Sequence, residues 1–227
     1  MYKIYFSLLF VLFATSSFAQ NNTFLGQELG SGNSSISIAV SGTDEKDGED
    51  FFSEADRNEK KGELYDALTL FGKAAFEFNS SRKFSKYGQA LLRMGNIHML
   101  LAHYVEAEQV VLNVALKNYS RIGSLSGQIA SYKQLGRIYL ADNKLTQSLW
   151  FYTQQGILAK QSGNNDSYIE SILGIAQVKI KKKEYVLANK DLNRAELLAK
   201  GKKTSQFAAQ IRDARSMIAE KQNIKGK

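Results

Sequence analysis

The chain of 227 residues contains no proline and no cysteine. At a background of about 5% proline, roughly eleven would be expected. Their absence excludes polyproline linkers and proline-punctuated loops, and it favours helices that stop by other means. The missing cysteines exclude disulfides, Cys-ligated zinc, thiol nucleophiles and a lipid-modified N-terminal Cys. Histidine is scarce as well, with His98 and His103 the only two. The fold must therefore rest on packing alone, and the chain is long enough for one large core or a string of small ones.

What is present begins with an export pattern. Residues 1–19 carry Lys3, an apolar run from Ile4 to Ala14 broken only by Ser7, and then Ser16-Ser17-Phe18-Ala19 before Gln20. This predicts a secretory signal with Gln20 as the mature start. The apolar run falls short of the roughly 20 residues that span a bilayer, so membrane association is expected only if the segment stays uncleaved. An exported chain without disulfides suits a bacterial periplasm or the cell exterior.

Residues 20–48 read as a flexible leader rich in Asn, Ser, Gly and acids. Within it Ser35 to Ser41 alternates polar and apolar residues, as a strand added to a partner's sheet edge or a disordered spacer would. Asp44, Glu45, Asp47, Glu49 and Asp50 lack the EF-hand spacing and read as a solvated acidic run.

The rest of the chain repeats. Met94-Gly95-Asn96-Ile97-His98 is echoed by Leu135-Gly136-Arg137-Ile138-Tyr139. After each glycine come a large residue, a small one and a branched or aromatic one at fixed offsets: Tyr104, Ala107 and Val111, then Leu145, Ser148 and Tyr152. The same spacing fits Ala55, Leu64, Ala67, Phe71 and Ala74, and again Ala176, Tyr185, Ala188, Leu192 and Ala195. The leading small residues at 55, 95, 136 and 176 are spaced by 40, 41 and 40. A fixed period of that size signals a solenoid.

These residues resemble the tetratricopeptide repeat family in its longer version of about 40 residues. The resemblance implies an all-α solenoid of four helical hairpins over 49–203, closed by a capping helix in 204–227. Small residues at Gly95, Gly136, Ala176, Ala107, Ser148 and Ala188 let paired helices approach, while Phe71, Val111, Tyr152 and Leu192 fill the space toward the next hairpin. The chain departs from the pattern at Gln155, where a small residue is usual, and in the first repeat, which lacks the Leu-Gly pair.

The expected helices are 49–61, 64–79, 83–102, 104–121, 125–141, 144–162, 166–182, 184–200 and 204–221. Gly123, Gly163 and Gly201 fall where a left-handed C-cap favours glycine, and Ser124, Asp166 and Thr204 can cap the helices that follow. Glycine thus stands where relatives often place proline, and helices free of it can run a turn longer, which fits the long repeat. Phe207, Ile211 and Ile218 give the last helix an apolar side suited to closing a solenoid.

Catalytic patterns are missing. Five residues apart on one helix, His98 and His103 are expected to face different ways and to make a poor metal pair, with His98 in an aromatic core position. Gly123-Ser124-Leu125-Ser126-Gly127 is not in nucleophile-elbow order, and Gly201-Lys202-Lys203-Thr204 lacks the upstream glycine of a phosphate loop. The expectation is a protein that is not an enzyme and uses no cofactor or metal.

Charge is uneven. The net charge of +8 hides a leader with six acids and one Lys up to Asp50, against 28 basic and 16 acidic residues from Phe51 onward. Such a field favours an acidic partner and speeds its arrival. Nucleic acid is not expected, since the chain is exported and its basic residues lack interleaved aromatics.

The family resemblance further implies a peptide groove lined by the first helices of the hairpins. The matching positions include Asn96 and Met99, then Lys133, Arg137 and Leu140, then Gln177, Ile180 and Lys181. Asn96, Lys133, Arg137, Gln177 and Lys181 can donate hydrogen bonds, with Met99, Leu140 and Ile180 as apolar floor. The reading is an exported scaffold that binds another envelope or secreted protein or peptide. The alternative is a free-standing periplasmic ligand-sensing module of a signalling system.

Overall fold

The computed structural model describes residues 45–200 and 205–223. The expected signal segment, the strand-like Ser35 to Ser41, and Gly201 and Thr204 lie outside these residues. Every element among the described residues is a helix. In chain order they are α1 (Glu45–Lys61), α2 (Leu64–Ser80), α3 (Phe84–Leu100), α4 (104–121), α5 (Leu125–Ala141), α6 (Leu145–Gln161), α7 (Asn165–Lys181), α8 (Tyr185–Ala199) and α9 (Ser205–Asn223). Helix α4 is continuous but mixed, α-helical at Tyr104–Glu108, π-helical at Gln109–Ala115 and α-helical again at Leu116–Arg121.

Each helix packs against the next, and α3, α5 and α7 also touch in series, with α9 laid on α7 and α8. This is an all-α solenoid of four hairpins and a closing helix. Its core is strung out rather than central. One cluster joins Ala55, Ala67, Phe71 and Ile97, a second joins Ala107, Val111, Leu135, Ile138 and Phe151, and the largest runs from Ile169 through Leu192 to Phe207, Ile211 and Ile218. Positions Ala55, Ala67, Phe71, Gly95, Ala107, Gly136, Ser148, Tyr152, Ala176, Ala188 and Leu192 are all buried. Burial leaves Ser148 and Gln155 needing partners. Ser148 Oγ donates to the Gly136 carbonyl at 2.7 Å, binding α6 to α5, and Gln155 Nε2 donates to the Ser167 carbonyl at 3.0 Å, binding α6 to α7.

Stop signals set the hairpin length. The turns between α1 and α8 each contain one residue with positive φ: Gly62, Gly123 and Gly163, but also Arg82, Ala102, Asn143 and Lys183. In each, the N–H one residue further on reaches back into the last helical turn, as His103 does to the His98 carbonyl at 2.8 Å and Ser124 to the Tyr119 carbonyl at 2.9 Å. Four of these turns thus hold a side chain where glycine is favoured. Removing the Cβ at Ala102, φ +60, relieves a cost of roughly 1–2 kcal/mol against the greater backbone entropy of glycine, roughly 0.5–1 kcal/mol. Ala102→Gly is expected to raise the unfolding free energy slightly, by about 0.5–1 kcal/mol; a lowered denaturation midpoint contradicts this.

Two local expectations need correction. Helix α1 begins at Glu45, four residues inside the segment read as leader. Acids at a helix N-terminus are stabilised by the dipole, Glu49 pairs with Lys86, and Gly48 lies against Phe78, which leaves only 2.8 Å to a Cβ placed there. Asp166 is not an N-cap, because α7 starts one residue earlier and Asn164 Oδ1 accepts the Ser167 N–H at 3.0 Å. Ser124 does cap α5, accepting the Gly127 N–H at 3.2 Å.

The 41-residue step has a physical cause. Helix α4 spans 104–121, one residue more than the 17-residue α2 and α6. The extra residue is absorbed by the π-helical stretch, where a wider turn takes in one more residue without breaking the helix. Val111 and Ala115 stay in the core on either side, and Asn113 and Val114 are pushed to the surface.

Candidate functional site

The first helices of the second to fourth hairpins lie side by side, and residues on them enclose a groove. Two adjoining cavities of about 350 and 250 Å³ share Arg137, Tyr152 and Gln177. Lys133, Glu170 and Gly174 line one end, and Met99, Leu140 and Lys181 line the other. Gln210 of α9 borders the first cavity, so the closing helix also bounds the groove.

The residues singled out from the sequence separate into three groups here. Met99, Lys133, Arg137, Leu140, Gln177 and Lys181 line the groove. Ile180 does not serve as floor, because it is 4% exposed and belongs to the core between α7 and α8. Asn96 sits beyond the two cavities and donates to Glu59 Oε1 at 3.0 Å. It belongs to a network in which Arg93 Nε meets Glu59 Oε2 at 2.8 Å and Arg93 Nη2 meets Asp56 Oδ1 at 2.6 Å, docking α3 on α1. Hydrogen bonds from Lys60 and Arg93 hold the Asp56 carboxyl below its usual range.

Of the lining cations, two are already engaged. Lys133 Nζ reaches Glu170 Oε1 at 2.8 Å, and Lys181 Nζ donates to the Leu140 carbonyl at 2.9 Å, so both tie α5 to α7. Arg137 and Gln177 are exposed and make no hydrogen bond or ion pair among the described residues. Between them comes Tyr152, which the sequence marked only as a packing residue. Its ring lies between Gly136 and Gly174, where an added Cβ would come within 2.8 and 2.5 Å of it. Burial holds its phenol proton well above the usual range, with the Arg137 guanidinium pulling the other way. Gly174 was the missed signal: a second glycine, two residues before Ala176, placed to face an aromatic from the previous hairpin.

His98 and His103 are also placed differently from expectation. Helix α3 ends at Leu100, left-handed Ala102 turns the chain, and the two rings come to 6.0 Å between centroids. No third His, Asp or Glu completes a metal-binding cluster among the described residues. His98 is half-buried, its Nδ1 has no hydrogen-bond partner, and burial lowers its pKa from 6.5, with Glu106 opposing and His103 assisting. The unfolded chain therefore takes up this proton first, and the stability present above about pH 6.5 is lost as pH falls. His98→Phe is expected to flatten the fall in melting temperature between about pH 6.5 and 5. Equal pH dependence in both proteins would refute this role.

The architecture has counterparts among solved structures. It is similar to BtubC (BKLC) from P. vanneervenii, with 13% sequence identity, a TM-score of 0.59, and coverage of 66% of this chain and 62% of that one. It is also similar to the apo form of RapI, with 13% identity, a TM-score of 0.68, and coverage of 80% of this chain and 51% of that one. The chain is a helical-hairpin solenoid. It spans between half and two thirds of the length of these two proteins, and likeness at this identity shows the fold alone. No protein-family model and no characterised protein matches the sequence.

Proposed function

We propose that this solenoid is an exported, non-enzymatic scaffold of the tetratricopeptide type that holds an acidic segment of another protein in the groove between α5 and α7. One observation carries the reading. Arg137 stands exposed in the middle of the groove without a carboxylate partner, beside the Gln177 amide and Tyr152, while its neighbours Lys133 and Lys181 are fixed by bonds within the chain. A guanidinium so placed can take a carboxylate through two parallel hydrogen bonds. Gln177 can bond a peptide backbone, and Met99 and Leu140 offer apolar contact. The excess of 28 basic over 16 acidic residues from Phe51 onward supports an acidic partner. The signal pattern of residues 1–19 supports an envelope or extracellular setting.

The test is selection of displayed peptides on the purified protein. Binders are expected to be enriched in Asp, Glu or a free C-terminal carboxylate, and Arg137→Glu is expected to weaken the selected peptide by about tenfold or more. Binders without acidic bias, or binders indifferent to Arg137→Glu, would sink the proposal.

A further inference from the structure

A second cavity, of about 270 Å³, lies away from the groove and shares no residue with it. Its wall is built largely by α4 at and after the π-helical stretch, with Asn113, Val114, Lys117 and Arg121 contributing. Asn79 of α2, from the preceding hairpin, and Tyr87 of α3, the partner helix of α4, face them. No carboxylate lines the cavity.

Its cations are arranged against their own interest. Lys117 and Arg121 are four residues apart on one helix, so they share a face, and like charges at that spacing repel. Both are exposed, and neither forms an ion pair among the described residues. Arg121 is nonetheless held in place. Its guanidinium stacks 4.7 Å from the centre of the Phe84 ring, and Nη2 donates to Asn118 Oδ1 at 3.3 Å. Asn118 is itself buried and anchored through Nδ2 to the Phe84 carbonyl at 2.7 Å. The guanidinium is thus oriented in advance by one ring and one buried amide, with donors left over.

The π turn belongs to the same feature. The one extra residue of α4 displaces Asn113 and Val114 outward, and both stand on the rim of this cavity. In α2 and α6, which have 17 residues, the corresponding stretch is ordinary α-helix. π turns of this kind recur at functional sites.

We infer that this cavity is a second binding site, which takes the oxyanion of a small solute, a carboxylate or a phosphate. Lys117 and Arg121 supply the charge, and an anion between them relieves their repulsion. The Asn79 and Asn113 amides and the Tyr87 hydroxyl supply hydrogen bonds to the rest of the ligand. The inference stands on this cavity alone and does not depend on the groove.

The experiment is an amide-resolved NMR titration of the full mature chain at constant ionic strength, with inorganic phosphate, with glucuronate and with neutral glucose. Saturable shifts are expected at Asn113, Val114, Lys117 and Asn118 with at least one of the two anions, and the more effective anion identifies the oxyanion. The Lys117→Ala/Arg121→Ala variant, altered only at exposed side chains, is expected to bind about tenfold more weakly or worse. Arg137→Glu is expected to leave these shifts unchanged. The inference is overturned if neither anion shifts these amides up to about 10 mM, if glucose does so equally, or if the double variant binds like the wild type.

Discussion

Tyr152→Ala is expected to lower the unfolding free energy by about 3–5 kcal/mol, the range for removing a buried aromatic ring. Tyr152 is 3% exposed and its ring occupies the slot that Gly136 and Gly174 leave open between α5 and α7. Neither glycine can fill the void, so the cavity persists and the fourth hairpin loses its grip on the third. Tyr152→Phe keeps the ring and is expected to cost less than about 1.5 kcal/mol. A double-mutant cycle isolates the cause. Gly136→Ala is destabilising beside Tyr152, whose ring is 2.8 Å from the new Cβ, but is expected to be neutral or stabilising in the Tyr152→Ala background, where it fills space. Chemical denaturation reads each value. Additive effects of the two changes would refute the slot.

Gly127→Ala, normally a gain in a helix, is expected to cost about 1–2 kcal/mol here. The helix propensity of alanine offers about 1 kcal/mol. Against it, the new Cβ would lie 2.0 Å from Tyr119 Cδ1. The ring has nowhere to go, because on its far side a Cβ at Gly88 would already be 2.5 Å from Tyr119 Cζ. Overpacking of a well-filled site costs about 1–3 kcal/mol and sometimes more. Burial of this ring is also what pushes the Tyr119 phenol pKa up to about 12. Combining Gly127→Ala with Tyr119→Leu is expected to remove most of the added cost. A Gly127→Ala protein as stable as the wild type would show that Tyr119 is not clamped.

Both predictions describe one device used twice. A tyrosine from the second helix of a hairpin is held between a glycine on its own first helix and a glycine on the next, as Tyr119 is by Gly88 and Gly127 and Tyr152 by Gly136 and Gly174. In a solenoid each hairpin contacts only its neighbours, so such clamps carry stability from one unit to the next. The same clamp places Tyr152 at the edge of the groove. A fault there would therefore weaken the fold and the candidate site together.

The sequence by itself determined the all-α class, the hairpin order and the position of most helix ends. Those properties are local. A small residue every 40 positions, glycine after a helix and serine before the next act through spacing and backbone preference, which need no partner from afar. The positive φ of Gly123 and Gly163 is of this kind, and so is the Ser124 cap. The left-handed turns at Arg82, Ala102 and Lys183 were not legible, because there the packing of the hairpins overrides the residue's own preference, whereas Asn143 is of a type that tolerates this conformation.

What only the tertiary structure decided concerns which groups meet and which are already taken. Spacing put Lys133, Arg137 and Lys181 in one row, but cross-helix bonds to Glu170 and the Leu140 carbonyl occupy the two lysines and single out Arg137. Spacing likewise set His98 and His103 apart, whereas the turn at Ala102 brings their rings together. The 41-residue step was visible as a number, but its conversion into a π turn depended on Val111, Ala115 and Tyr119 all remaining in the core. Local patterns fix where a helix starts and stops. Side-chain pairings between helices are settled only when the faces are pressed together and each buried or charged group must find its partner.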